Sequence, residues 1–293
     1  MNTFLLTSSI GAQLDTLFKG FDLAVFQIFG QRQSDVLTVL SKILTSFGSE
    51  LFIAMFAVMG LVLCFFKRTR KVGLAIVFSV IIGTLLTNVI IKPMVGRIRP
   101  YNTLQDNAAF WSWYINAGML SESDFCFPSG HTTGATEIAV ALMLCHIKSK
   151  RKPAKVLFWI FPLIALLTGA SRIYLMVHYP SDVIAAFIIG TAAGVSGFVI
   201  ASLLCRRLTR NDRYMASLER NVKPIGIMAI ALAVMVMFLI SFSFTLNNGG
   251  EDAVRCSYDG DYNCQNEAET GSKYPAIDGK YYCKIHYDEA ADK

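Results

Sequence analysis

The chain has 293 residues, of which 54% are hydrophobic and 16% charged, with a mean hydropathy of +0.47 and a formal net charge of +6. Soluble domains carry about a quarter charged residues, so this composition excludes a disordered chain, a nucleic-acid-binding arm and a typical cytosolic enzyme. The informative count is of uncharged runs long enough to cross about 30 Å of hydrocarbon.

In chain order, MNTFLLTSSIG holds a short apolar run with no basic segment before it, and so reads as something other than a secretory signal. Residues 12–29 set Leu14, Leu17, Phe18, Phe21 and Leu23 against Asp15, Lys19 and Asp22, the pattern of an interfacial amphipathic helix or of a strap packed on a bundle. Uncharged runs come next at 51–66, 72–91, 156–171, 183–205 and 224–250, and the stretch 132–147 is broken only by Glu137. A window of 27 residues without charge has no polar face for water. The expected fold is therefore all-α, with six transmembrane helices in a bundle preceded by the N-terminal interfacial helix. The short first run lengthens into the flank 36–50, and Pro162 kinks the fourth span, which membranes tolerate. The expected divisions are an N-terminal segment 1–50, a membrane core 51–245 and a tail 246–293.

Orientation is set by the basic loops. The connections after the first, third and fifth spans hold 15 of the 27 Lys and Arg residues: Lys67–Lys71, Lys148–Lys155 and Arg206–Lys223. Short cytoplasmic loops carry such excess, so these three face the cytoplasm. Both termini and the loops 93–130 and 177–181 then face outward, as in a bacterial inner-membrane protein. Marking topology explains these charges better than binding nucleic acid does, and no nucleic-acid partner is expected.

The remaining polar residues gather at the outward ends of spans. Lys92 closes the second, Arg97 and Arg99 come just after it, His131 opens the third, Arg172 ends the fourth, and His178 and Asp182 bracket the start of the fifth. Ionisable groups at such depth are costly and mark function by default. Three cations, Lys92, Arg99 and Arg172, suit a phosphate and its transition state. Ser129 and Gly130 precede a helix whose first-turn N–H groups form an anion cradle, with Ser129 as N-cap and Gly130 allowing close approach. His178 with Asp182 reads as a nucleophile and the carboxylate that orients it. Arg97 reads as a ligand for a second phosphate or as a surface anchor, and Glu137 as a group that tunes the site or as a structural partner of Asn88 or of an interhelical hydroxyl. Tyr101, Phe110, Trp111, Trp113, Tyr114, Phe125 and Phe127 read as an interfacial aromatic belt, with guidance of a lipid tail as the other reading.

Lys92 through Arg99-Pro100, then Pro128-Ser129-Gly130-His131, then Ser171-Arg172, His178 and Asp182 match in order and spacing the three motifs of the type 2 phosphatidic acid phosphatase superfamily, which the chain resembles over about residues 10–245. The resemblance implies a membrane phosphatase acting on a lipid phosphate or diphosphate, undecaprenyl diphosphate foremost, then phosphatidic acid or phosphatidylglycerophosphate. It further implies that His178 forms a phosphohistidine, that Asp182 orients it, and that His131 serves as general acid and then base. Lys92, Arg99, Ser129, Gly130 and Arg172 bind the phosphate. No cofactor is expected, and no metal, because three crowded cations repel a divalent ion. A lipid A phosphatase or a lipid-to-lipid phosphotransferase uses the same motifs. The non-enzyme alternative is a transporter or scramblase with an anion site, against which stand the absence of internal repeats and the gathering of charges at one face.

The tail differs in composition, with 10 acidic and 5 basic residues. Cys126, Cys256, Cys264 and Cys283 fall outside in the expected topology, and an even count there allows two disulfides, one of them within the tail. A zinc site of Cys256, Cys264, Cys283 and His286 is the alternative.

Overall fold

A computed structural model of the protein describes residues 10–122, 124–147 and 155–208, all within the unit Met1–Leu246. Among the described residues every regular element is helical: α1 (Ile10–Gly30), α2 (Asp35–Ser46), α3 (Glu50–Cys64), α4 (Arg70–Thr84), a π-helical continuation (Leu85–Ile91), α5 (Lys92–Val95), α6 (Pro100–Thr103), α7 (Ala108–Asn116), α8 (Gly130–Ile147), α9 (Lys155–Tyr174) and α10 (Pro180–Leu208). Side-chain caps start several of them. The hydroxyl of Ser34 accepts from Leu37 N at 3.4 Å, that of Ser49 from Phe52 N at 3.3 Å, and the Asn107 amide oxygen from Phe110 N at 3.1 Å. Each satisfies an N–H that the helix geometry itself leaves unpaired.

Among the described residues, three stretches are long and apolar enough to cross a bilayer: Asp35–Cys64, Arg70–Thr103 and Pro180–Arg207. The first joins α2 and α3, the lengthening into 36–50 that the short run requires. Trp159–Tyr174 is a shorter apolar helix, with Pro162 inside α9. The run 132–147 forms α8, whose first half, HTTGATE, is almost wholly buried among the other helices. The run 224–250 and the whole tail, with Cys256, Cys264, Cys283 and His286, lie outside the described residues.

The bundle inverts the pattern of a soluble protein. Val58, Leu61, Val89, Trp159, Leu166, Ile188 and Leu203 are all more than half exposed, whereas Ser79, Thr132, Thr168, Arg97, Asp182 and His178 are buried. Apolar groups outside and paired polar groups inside suit hydrocarbon as the solvent, and the protein is an integral membrane protein. α10 packs chiefly on α4 and α8. Small residues allow close approach there: a methyl group on Gly190 would stand 2.7 Å from Thr133 O, and one on Gly194 2.7 Å from Glu137 O.

The N-terminal helix turns its acidic side inward. Asp22 and Phe26 of α1 are buried, while Leu17 and Phe21 are exposed. The aromatic loop also differs from the expected belt. Phe110, Tyr101 and Tyr114 are buried with Phe26, with Tyr101 and Tyr114 stacked at 5.0 Å, so these rings make a core and Phe125 stays exposed. Glu137 is buried against Gly83 of α4, and its Oε2 has no hydrogen-bond partner among the described residues, so neither Asn88 nor a hydroxyl satisfies that oxygen.

Candidate active site

Four elements bring the motif residues to one end of the bundle. The π-helical stretch, which takes an extra residue per turn and so shifts the register of the residues after it, delivers Lys92 to the buried side. Gly96 ends α5 with φ 60°, a left-handed conformation that glycine adopts without strain. Beyond the turn Arg99 shares Asp124 with Lys92, whereas Arg97 pairs with Asp15, Asp22 and Asp182. At the start of α8 the Ser129 hydroxyl accepts from Thr132 N at 3.4 Å and from Thr132 Oγ1 at 3.0 Å, as its reading as an N-cap requires. A methyl group on Gly130 would meet Lys92 Nζ at 3.5 Å, so the lysine reaches the first turn of α8. Ser129 N also donates to Asp182 O at 3.5 Å, tying that turn to α10.

The turn from α9 to α10 carries His178. Its first residues form a Schellman motif: Met176 N donates to Ile173 O at 3.0 Å, and Val177 N to Arg172 O at 3.3 Å. Met176 takes the left-handed position, φ 57°. Ser171 Oγ donates to Thr168 O at 2.7 Å inside the helix, which makes that motif serine a packing residue.

His178 is buried and flanked on both sides. Arg99 Nη1 lies 3.1 Å from His178 Nε2 and donates to Val177 O at 3.0 Å. A guanidinium only donates, so Nε2 is the acceptor and the proton of the neutral ring sits on Nδ1. That nitrogen faces Cys126 Sγ at 3.4 Å and Asp182 Oδ2 at 3.6 Å. Asp182 Oδ2 also accepts from Tyr179 N at 3.0 Å and from the Cys126 thiol at 2.7 Å. Burial, reinforced by the Asp182 carboxylate, pushes the Cys126 thiol well above its ordinary range and keeps it protonated. Cys126 is therefore a free, buried thiol within the site, and the pairing of four outer cysteines expected from the sequence loses one member.

The three expected cations converge on the Nε2 side. Lys92 pairs with Asp124; Arg99 pairs with Asp124 and, at 2.6 Å, with Glu122; Arg172 pairs with Glu122 and donates to Thr45 Oγ1 at 2.8 Å. Glu122 Oε2 stands 3.9 Å from His178 Nε2. Two loop carboxylates thus lie among the cations where an anionic group is best stabilised. Burial opposes the ionisation of Glu122, but the charges of Arg172, His131 and Arg99 outweigh it and hold the carboxyl well below its ordinary range. Asp124, more exposed, is held down in the same way by Arg99 and Lys92 against its own burial. His131 lies within electrostatic reach of Arg172, Glu122, Arg99 and Lys92.

Arg97 is neither a phosphate ligand nor a surface anchor. Its side chain is 0% exposed and ion-paired to Asp15 at 2.8 Å, Asp22 at 2.9 Å and Asp182 at 2.5 Å. A snorkelling arginine keeps its head in water; here three carboxylates make burial cheaper. Sequence reasoning missed this cluster, together with Glu122, Asp124, Tyr179 and Thr45. The available signals were the seven-residue spacing of Asp15 and Asp22, which sets them on one helix face, and two acids in the loop between Arg99-Pro100 and Pro128-Ser129-Gly130-His131.

Cys126 Sγ, His178 Nδ1 and Asp182 Oδ2 lie within 4.8 Å of one another and have the chemistry to ligate a cation. The fit is poor on charge, because Asp182 is already paired to Arg97 and Arg99 borders the imidazole.

The sequence profile of the PAP2 superfamily matches residues 72–199. The undecaprenyl-diphosphatase of Sulfolobus acidocaldarius is 31% identical over 176 residues, covering 59% of this chain and 74% of that one. Phosphatidylglycerophosphatase B of Bacillus subtilis is 27% identical over 147 residues, 49% of this chain and 64% of that relative. Among solved structures, the transmembrane PAP2-type phosphatidylglycerolphosphate phosphatase from Bacillus subtilis superposes with a TM-score of 0.52 at 24% identity, over 70% of this chain and 93% of that one, a likeness of fold. With three quarters of a phosphatase relative matched and the profile spanning the site, the chain belongs to the PAP2 superfamily and is a membrane phosphatase.

Proposed function

We propose that the protein hydrolyses a lipid phosphate or lipid diphosphate, undecaprenyl diphosphate foremost, through a phosphohistidine on His178 and without a metal. The observation that carries this reading is the orientation of His178, whose Nε2 faces Arg99 and the Glu122 carboxylate that pairs with Arg99 and Arg172, while Nδ1 faces Asp182. A phosphoryl group taking the place of Glu122 and Asp124 would meet three cations and the first turn of α8. Nε2 attacks phosphorus, an N–P bond forms, and the bond to the leaving oxygen breaks as His131 donates its proton. Water then attacks the phosphohistidine, His131 takes the proton, and inorganic phosphate leaves. Asp182 stabilises the imidazolium character of His178 in both steps. Lys92, Arg99, Arg172, Ser129 and Gly130 hold the phosphate.

The substrate class is supported by the membrane frame, since a laterally diffusing headgroup reaches the end of the bundle without leaving the bilayer, and by the activities that the relatives' names carry. The reading includes a six-span core 51–245, a site on the extracytoplasmic side and a separate tail 246–293. Phosphate release from detergent-solubilised protein, with undecaprenyl diphosphate, phosphatidic acid and phosphatidylglycerophosphate in parallel, tests it. Undecaprenyl diphosphate is expected to be cleaved fastest, activity to persist in EDTA, and His178→Ala to abolish release and an acid-labile phosphoryl adduct together. A His178→Ala variant as fast as the parent would sink the mechanism, and loss in EDTA would sink its metal independence.

A further inference from the structure

Arg97 lies on the side of His178 away from the phosphate-binding cations, and its geometry ties the N-terminal helix to the reaction. Its Nη1 donates to Asp182 Oδ1 at 2.5 Å and to Ser181 Oγ at 2.7 Å, its Nη2 to Asp22 Oδ2 at 2.9 Å, and its Nε to Asp15 Oδ1 at 2.8 Å. The guanidinium also covers the Tyr179 ring, 3.8 Å from its centroid. Four of its five N–H donors are thereby aimed. Asp22 is itself fixed at the start of α10, accepting from Ser181 N at 2.9 Å and from Ser181 Oγ at 2.8 Å. The negative charge there complements the positive end of the helix. α1 approaches so closely that a methyl group on Gly11 would stand 2.7 Å from Arg97 Cα.

We propose that Arg97, anchored by Asp15 and Asp22 of α1, is a positioning residue that holds Asp182 as an oriented carboxylate behind His178. The inference rests on His178 being the nucleophile. A carboxylate is planar, so pinning Oδ1 on Arg97 fixes where Oδ2 points: at Tyr179 N, the Cys126 thiol and His178 Nδ1. Among the described residues, Arg97 is the only arginine or lysine within ion-pair distance of Asp182, whereas Lys92, Arg99 and Arg172 pair with Glu122 and Asp124. The four cations therefore divide into two sets. Three neutralise the phosphate in front of the ring, and one keeps a buried carboxylate charged behind it. An unpaired buried carboxylate is costly, and one free to rotate loses the ring alignment that attack requires.

The test uses full-length protein in detergent micelles and whichever lipid phosphate of the panel the parent cleaves fastest. It measures kcat, KM, the inhibition constant of inorganic phosphate, and thermal unfolding. Arg97→Gln is expected to lower kcat by about tenfold to a hundredfold, the scale on which misplaced reacting groups act. KM and the phosphate inhibition constant should stay within about twofold, because the three phosphate-binding cations are untouched. Arg97→Lys, which keeps a charge but not the fork, should fall between parent and Gln variant. Asp22→Asn leaves both Arg97 and Asp182 in place, so it remains informative if Arg97→Gln does not fold; it should lower kcat less, again without raising KM. If Arg97→Gln, or Asp22→Asn where the former does not fold, keeps the parental kcat while His178→Ala is dead, the positioning role is wrong. KM and the phosphate constant rising in step with the fall in kcat also overturns it, since that is general loosening of the site. Undiminished turnover in His178→Ala would instead remove the underlying mechanism.

Discussion

The proposed nucleophile must be a neutral imidazole whose unprotonated nitrogen can turn to phosphorus; at His178 that nitrogen is Nε2, which accepts from Arg99 Nη1 at 3.1 Å and stands 3.9 Å from Glu122 Oε2. Burial, then the charges of Arg99 and Arg172, depress this imidazole well below its ordinary value of 6.5, with Lys92 acting in the same sense and Glu122 opposing them. The sign is direct: a lowered value keeps the neutral form present as the pH falls. The acid limb of kcat/KM, corrected for the substrate's own ionisation, is expected well below pH 6.5; a limb at or above 6.5 would contradict a buried, cation-flanked ring. The loop carboxylates act on the other side of the same balance. Asp124 pairs with Lys92 and Arg99 yet has a side chain 46% exposed, so an entering phosphate displaces it at modest cost. After discounting for solvent screening, its like charge opposes phosphate by about 1 kcal/mol. Asp124→Asn should therefore tighten competitive inhibition by inorganic phosphate about fivefold, and unchanged or weaker inhibition would mean that Asp124 is no competitor. Lys92, Arg99, His131, Arg172, His178 and Asp182 were legible in the sequence because expensive charges stood alone against an apolar background. Glu122, Asp124 and Cys126 were not, because loop acids and an outer cysteine look ordinary until the fold brings them to the cations.

The turn between α9 and α10 shows how an element boundary sets catalytic geometry. Schellman closures ordinarily place glycine in the left-handed position, since a side chain there costs about 1–2 kcal/mol. Met176 occupies it with φ 57° and is 0% exposed in the cluster that includes Phe26, Tyr174, Val177 and Tyr179. Burial of a methionine is worth about 2–5 kcal/mol against its truncation, so packing outweighs backbone strain. Both Met176→Ala and Met176→Gly are expected to destabilise, with the glycine variant the more stable of the two by about 1 kcal/mol because it alone relieves the left-handed residue. Equal unfolding temperatures for the two variants would mean that the backbone at Met176 carries no strain. No local sequence signal announces such a turn, because the residue that identifies it is chosen for its contacts rather than for its backbone. The helix starts were easier to find. Ser129 before an apolar-periodic segment is a local cue, and its hydroxyl caps α8 as expected.

Across the whole molecule, the apolar runs and the basic connections were legible together because the bilayer imposes them residue by residue, whereas the inward turn of α1 depends on Arg97, a residue 75 positions from Asp22. The described helices also relate the site to those connections. α4 leaves the basic segment Lys67–Lys71 and its continuation ends at Lys92; α8 runs from the site towards Lys148; α9 returns from Lys155 to Arg172; α10 leaves Asp182 and ends near Arg206 and Arg207. Each of the four has one end at the site and the other at a basic connection, so the site stands at the opposite end from the loops that the positive-inside rule assigns to the cytoplasm. With those loops in the cytoplasm, as the proposed reading has them, the chemistry is vectorial. Right-side-out vesicles should hydrolyse substrate supplied in the outer leaflet and release phosphate into the medium. Inverted vesicles should be latent towards the same substrate until detergent opens them, because neither a charged headgroup nor inorganic phosphate crosses the hydrocarbon readily. Equal activity of sealed inverted vesicles before and after detergent would place the site on the cytoplasmic side and would require the three basic loops to have been translocated, against the bias that orients short loops.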